Sequence, residues 1–329
     1  MGEATIVRAA GRDVRFTSPD KVLFPDTGWT KLDVAEHYLV CAEGAVRGTH
    51  RRPCSLKRWP NGVAADFFFT KRAPSTIREA VAVRFPSARP GRMAVVDDVS
   101  DIIDQVQLGV LDLNPWSSRA EDTDHPDELR LDLDPTEGFG FDACREVAAG
   151  CRDLLAEHGL VGWPKTSGSR GIHVYVRIEA RWTFHEGRRA VLAFAREIER
   201  RMPGLATTAW WKEERRGVFI DFNQNARDKT VASAYSLRQT GLVSTPFSWD
   251  ELATIDPGEM TLEGFRHRWR AVGDLTEGID RAAGDITGLL AMADRDEAAG
   301  IGDAPWPPHY RKQPGEPPRV QPSKRKTTE

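Results

Sequence analysis

Leu129-Arg130-Leu131-Asp132-Leu133-Asp134-Pro135 is the stretch on which the reading of this chain turns. Its leucines alternate with charged residues, the period of a half-buried strand that sends Arg130, Asp132 and Asp134 to one face. Pro135, which cannot donate to a strand ladder, marks the end. Side chains two residues apart on one face originate roughly 7 Å from each other, close enough for Asp132 and Asp134 to grip the same divalent ions. Their like charges repel, and a bound cation relieves that repulsion. Taken alone, the pair is also what an exposed strand end looks like.

Two further stretches share the alternation. Gly171-Ile172-His173-Val174-Tyr175-Val176 places Ile172, Val174 and Val176 inward with His173 and Tyr175 opposite. Gly217-Val218-Phe219-Ile220-Asp221-Phe222 sets Asp221 against Val218, Ile220 and Phe222, making Asp221 the candidate third carboxylate. Oxygen ligands of this kind suit Mg²⁺ or Mn²⁺, and two such ions can activate an attacking oxygen and stabilise a phosphate leaving group. Helices fall between the strands. Thr30 with Asp33 forms a capping-box start near Lys31, followed by Leu32, Ala35, Tyr38 and Leu39. Cys144, Val147, Ala148, Cys151 and Leu155 make an apolar stripe that Gly159 closes, and a third helix runs from about Glu186 to Met202 before Pro203. The interleaving predicts an α/β or α+β sheet domain.

Thr166-Ser167-Gly168-Ser169-Arg170-Gly171-Ile172-His173 has the composition of a triphosphate cradle: glycines permit close backbone approach, and hydroxyls, amides, Arg170 and His173 offer partners to phosphate oxygens. By itself it also reads as an ordinary turn before a strand. Lys21, and Lys31 at a helix start where a cation opposes the dipole, suggest a bound phosphate. Arg51, Arg52, Lys57 and Arg58 precede Phe67, Phe68, Phe69 and Lys71, the mixture on which bases stack. Three successive phenylalanines also fit a core strand, so at least one is expected to be buried.

The formal charge of -3 hides 46 basic against 49 acidic residues, so a nucleic-acid surface has to be a local patch. Cys41, Cys54, Cys144 and Cys151 lack CxxC spacing and read as reduced thiols. The polar N-terminus and the absence of an apolar run near ~20 residues point to a soluble, cytoplasmic protein rather than a membrane one. From about Asp303 prolines crowd in, which divides the chain into a catalytic domain over 1–302 and a flexible basic tail over 303–329. Arg319, Lys324, Arg325 and Lys326 in that tail either touch a phosphate backbone or simply solvate the terminus.

In order along the chain, DKVLFP (20–25), KRWPNG (57–62), FFFTK (67–71), LDLDP (131–135), TSGSRGIHVY (166–175), DFNQNARDKT (221–230) and AYSLR (234–238) resemble the polymerase domain of bacterial ligase D, a member of the archaeo-eukaryotic primase superfamily. The resemblance implies an α+β primase-polymerase fold: a mixed or antiparallel catalytic sheet flanked by helices, with an N-terminal α/β subdomain. It implies a nucleotidyltransferase of DNA repair that adds ribo- or deoxyribonucleotides to DNA 3′ ends, with ribonucleotides frequently preferred and Mn²⁺ favoured over Mg²⁺. Its partners would be gapped, recessed or broken DNA, nucleoside triphosphates, and a repair ligase or end-binding proteins of non-homologous end joining. By position, Asp132, Asp134 and Asp221 look like the catalytic metal carboxylates. Ser167, Ser169, Arg170, His173, Arg238 and Lys57 look like nucleotide contacts, Lys21 and Lys31 like the site for a DNA 5′-phosphate, and Phe68 and Phe69 like the stacking platform.

Two departures stand out. No ligase or nuclease module follows the polymerase region, as in separately encoded paralogues. Asn114 occupies the place of a usual histidine, where it serves either as a nucleotide contact or as a turn cap before Pro115. Two other classes use parts of this pattern. A two-metal nuclease needs the carboxylates but no triphosphate cradle, and a non-catalytic end-binding module needs the basic and aromatic residues without the carboxylates.

Overall fold

The computed structural model describes residues 4–319. Two short hairpins open the chain, β1 (Ala4–Ala9) with β2 (Arg12–Thr17) and β3 (Val22–Phe24) with β4 (Trp29–Thr30). Helices α1 (Lys31–Val40) and α2 (Ala42–Thr49) follow, and the Thr30–Asp33 capping box stands at the start of α1 as expected. The N-terminal sheet has the order β6 (Phe68–Thr70), β5 (Cys54–Arg58), β8 (Gly91–Ala94), β7 (Ala80–Val83). Helix α3 (Val99–Gln107) leads into β9 (Val110–Pro115), which also pairs with β5.

After the small β10 (Ser118–Arg119) and β11 (Asp122–Pro126) hairpin comes the catalytic sheet. Its order is β13 (Gly162–Thr166), β14 (Ile172–Arg177), β12 (Glu128–Pro135), β16 (Val218–Ile220), β15 (Ala206–Thr207). Only β15 and β16 run parallel; the other pairs are antiparallel. The leucines of β12 pack with Cys144, Val147 and Cys151 of α4 (Phe141–Glu157), Val191, Phe194 and Ile198 of α5 (Phe184–Arg201), and Leu289 and Met292 of α7 (Thr287–Ala298). Apolar periodicity therefore chose the same inward faces that the alternation predicted. A second core joins α1, α3, β5 and β9 to Tyr235, Leu237 and Phe265 of α6 (Leu262–Val272), so late residues return to complete the N-terminal unit. The described residues form an α+β fold with two five-stranded sheets and three two-stranded hairpins.

The polar face of β12 is not open to water. Along Glu128–Pro135 only Asp134 is exposed. Arg130 donates to Glu128 Oε1 at 2.8 Å, to the Pro115 carbonyl at 2.7 Å and to that of Trp116 at 2.9 Å, which ties β12 to the end of β9. Arg52 and Arg177 meet Glu128 in the same layer. Buried charges persist only when paired, and here each is paired with an opposite charge. The expectation of a half-buried strand is thus corrected: a second layer covers the charged side.

A loose tail from residue 303 does not fit residues 303–319 either. Trp306 is buried, Tyr310 donates to the Arg227 carbonyl, and Arg319 folds back onto Glu316 rather than outward. Aromatic side chains among the prolines supply the apolar area that composition alone undervalued. Lys324, Arg325 and Lys326 lie outside the described residues. Among the described residues all four cysteines are free and buried, and no helix is long and apolar enough to cross a membrane.

Candidate active site

Three acids gather at one end of the catalytic sheet. In register, Asp132 on β12 faces His173 on β14, and Asp134 faces Phe219 on β16. Asp221 follows β16 directly, and its backbone N–H donates to the Asp132 carbonyl at 2.9 Å. Their electrostatics betray the crowding. The charge of Asp132, then burial, pushes Asp134 up to about 7. Burial pushes Asp132 up to about 6, and burial with the Asp132 charge does the same to Asp221. Groups shifted this way favour a cation among them.

The donor set suits a hard divalent ion. Asp132 Oδ1 is buried without a well-aligned hydrogen bond, and His173 Nε2 lies 3.2 Å away. Yet among the described residues no three acidic, histidine or cysteine side chains converge at ligand distance. Asp221 is engaged as a cap: its Oδ1 accepts from the Asn223 N–H at 3.0 Å and its Oδ2 from Gln224 Nε2 at 2.9 Å, at the turn Phe222–Asn225. Asp132 and Asp134 share β12, and Asp221 adjoins them through its N–H to the Asp132 carbonyl.

The loop between β13 and β14 is built by its own residues. Ser167 Oγ accepts from the Ser169 N–H at 3.1 Å and the Gly171 N–H at 3.0 Å, so Ser167 is a buried internal brace. Gly168 sits at φ 68°, and a Cβ on Gly171 would come within 2.3 Å of the Leu133 carbonyl. Ser169 and Arg170 are left exposed on the rim, and the Arg170 charge acts on Asp134. Arg238 closes the loop, donating Nη1 to the Ser167 carbonyl at 3.0 Å while Nε stands 3.2 Å from Asp112 Oδ2.

Asp112 is the hub of a second cluster. Lys57 Nζ on β5 lies 3.7 Å from its Oδ2, and Asn114 Nδ2 lies 3.2 Å from its Oδ1 and 3.0 Å from its carbonyl. Asn114 is inside β9, paired with Ser55, so it does not cap a turn. Burial lowers the pKa of Lys57, while Asp112 raises it.

Lys21 and Lys31 share a cavity with Ser18, Arg58 and Gln107. Lys31 Nζ donates to the Thr17 carbonyl at 2.9 Å and Gln107 Oε1 at 2.8 Å, and Lys21 Nζ to the Pro60 carbonyl at 2.5 Å. Three basic side chains, Lys21, Lys31 and Arg58, therefore line one hollow. Phe67, Phe68 and Phe69 are 42%, 47% and 52% exposed, so none is the core residue expected among them. The strand β6 is too short and too marginal in the sheet to be covered on its second face.

Residues 30–276 match the model of the LigD primase-polymerase domain. The chain belongs to the LigD primase-polymerase domain family. Its members are nucleotidyltransferases. The multifunctional non-homologous end joining protein LigD of Mycolicibacterium smegmatis is 33% identical over 277 residues, which are 82% of this chain and 36% of that protein. LigD of Mycobacterium tuberculosis H37Rv is 33% identical over 292 residues, 84% of this chain and 38% of the relative. The chain therefore spans little more than a third of these relatives. Its fold is similar to that of the solved polymerase domain of Mycobacterium tuberculosis ligase D in complex with DNA, with a TM-score of 0.75 at 34% identity over 82% of this chain and 99% of that one.

Two site residues of this primase-polymerase domain escaped sequence reading. Lys165 Nζ lies 2.8 Å from His173 Nδ1 and donates to Ser244 Oγ at 2.5 Å. Its signal was available: Lys165 occupies the strand register opposite His173. Asp112, in contrast, looks like any strand acid until Lys57 and Arg238 are brought to it from distant parts of the chain.

Proposed function

We propose that this chain adds ribo- or deoxyribonucleotides to DNA 3′ ends at gaps or breaks. The observation that carries this reading is the meeting of three mutually repelling acids with the Ser167–His173 loop at one sheet end. Asp132, Asp134 and Asp221 would hold two divalent ions, Mn²⁺ or Mg²⁺, which activate the primer hydroxyl and stabilise charge on the transferred phosphate. Ser169 and Arg170 face the triphosphate, and Ser167, by engaging the Ser169 and Gly171 amides, keeps the loop in shape. His173 carries no positive charge, because burial and the nearby Lys165 hold its pKa well below the usual histidine range. Lys165 at its Nδ1 holds the ring so that Nε2 faces Asp132.

Lys57 and Arg238 contact the nucleotide from the Asp112 side, with Asn114 bracing Asp112. The Lys21–Lys31 hollow takes a DNA 5′-phosphate, and Phe68 and Phe69 stack on the end. The solved relative bound to DNA supports a DNA substrate. Primer extension on recessed and gapped duplexes, with Mn²⁺ or Mg²⁺ and with either sugar type, tests the reading. Addition in Mn²⁺ with ribonucleotides at least as good as deoxyribonucleotides is the expected result. Strand cleavage without nucleotide and no extension would make the chain a nuclease.

A further inference from the structure

The C-terminal segment approaches the acids from behind. On α5, Arg188 donates Nη1 to Asp303 Oδ1 at 2.7 Å, and Nη2 to the Ala304 and Pro305 carbonyls at 2.8 and 3.1 Å. The guanidinium lies 4.2 Å from the Trp306 ring centre and 5.2 Å from that of Phe222, and the residue is 1% exposed. Its remaining Nε donates to Asn223 Oδ1 at 2.7 Å. Asn223 Nδ2 donates to the Pro305 carbonyl at 3.0 Å, and its backbone N–H donates to Asp221 Oδ1 at 3.0 Å. The hydrogen-bonded path thus runs unbroken from Asp303–Pro305 through Arg188 and Asn223 to a site carboxylate. Its anchor lies beyond residues 30–276 that match the family model.

We propose that Arg188 is a positioning residue for Asp221, acting through Asn223 and held in place by residues 303–305. The inference rests on the reading of Asp221 as a metal carboxylate. A planar fork with five donors satisfies Asp303, two carbonyls and Asn223 at once, which a lysine ammonium cannot reproduce. Asn223 in turn is held at both ends of its amide. That fixes the turn whose N–H orients Asp221. Partners behind a metal ligand set its direction, and removing them typically weakens metal binding about 10- to 100-fold.

The test is Mn²⁺ binding to the full chain without DNA or nucleotide, followed through the paramagnetic resonance signal of the free ion. Arg188→Lys and Asn223→Ala should each weaken binding by about 10-fold, and the double variant should lose no more than either single. The Mn²⁺ concentration for half-maximal nucleotide addition should rise in parallel, with the KM for DNA unchanged. Asp221→Asn serves as reference. If it weakens binding while Arg188→Lys and Asn223→Ala bind as the parent does, the positioning role is overturned and the reading of Asp221 stands. If Asp221→Asn itself binds Mn²⁺ normally, both fail. Additive losses in the double variant would also overturn the path. Should Arg188→Lys not fold, Asn223→Ala decides alone, since it leaves the Arg188–Asp303 pair intact.

Discussion

Lys165 Nζ stands 2.8 Å from His173 Nδ1, directly across the β13–β14 ladder, and both side chains are buried. Lys165 thereby holds the imidazole with Nε2 facing Asp132 Oδ1, 3.2 Å away. Lys165→Met keeps the length and removes the donor. Nucleotide addition should fall by about 10-fold or more, as when the orienting partner of a site histidine is lost. Steady-state rates of parent and variant, with circular dichroism to confirm the fold, check this.

Asp112 Oδ2 is shared by Lys57 and Arg238. Removing its charge leaves two cations with no common partner and frees Arg238 to leave the Ser167 carbonyl. Asp112→Asn should therefore raise the KM for nucleotide by about 10-fold, a loss near 1.4 kcal/mol, with a smaller effect on kcat. Rate against nucleotide concentration separates the two.

The metal acids should act as a unit. Asp134→Ala should leave a folded but nearly inactive protein, down by at least about 100-fold in extension. Near-normal extension would refute the assignment.

The same acids should cost stability when no metal is present. Asp132 is raised to about 6 from 3.8, so its ionised form is disfavoured in the folded state. The resulting destabilisation is full above the folded value and is relieved as pH falls through it toward the unfolded value. In chelator-treated buffer, Asp132→Asn should melt a few degrees above the parent at pH 8, with the gain shrinking below pH 6. Calorimetry at pH 8 and pH 5 tests the sign.

Lys31 introduces a pH dependence of a different kind. Burial, then the Lys21 charge, lowers it to about 8, so the free site loses a cation as pH rises through that value. A terminal phosphate is already a dianion above pH 7.5 and does not change further. The preference for a 5′-phosphorylated over an unphosphorylated gap should weaken several-fold between pH 7.5 and 9.5, by up to about 10-fold. Lys31→Arg should flatten that profile. Anisotropy titrations with both DNAs at both pH values are the measurement.

The sequence by itself determined what depends on near neighbours in the chain. Alternation put Asp132 and Asp134 on one face of β12 and His173 on one face of β14, and capping and apolar stripes located α1, α4 and α5. These signals are local because side-chain direction follows backbone period. Tertiary structure decided what depends on partners far along the chain. It set β16 beside β12 and so brought Asp221 to the acids, buried the charged face of β12 under paired arginines, and made Asp112 a hub for Lys57 and Arg238. It left Phe67 and, on the short edge strand β6, Phe68 and Phe69 exposed, and folded a proline-rich end against α5 through Trp306 and Arg188. Whether a charge is buried or a phenylalanine is bare depends on which distant segment covers it, and no local window of residues contains that segment.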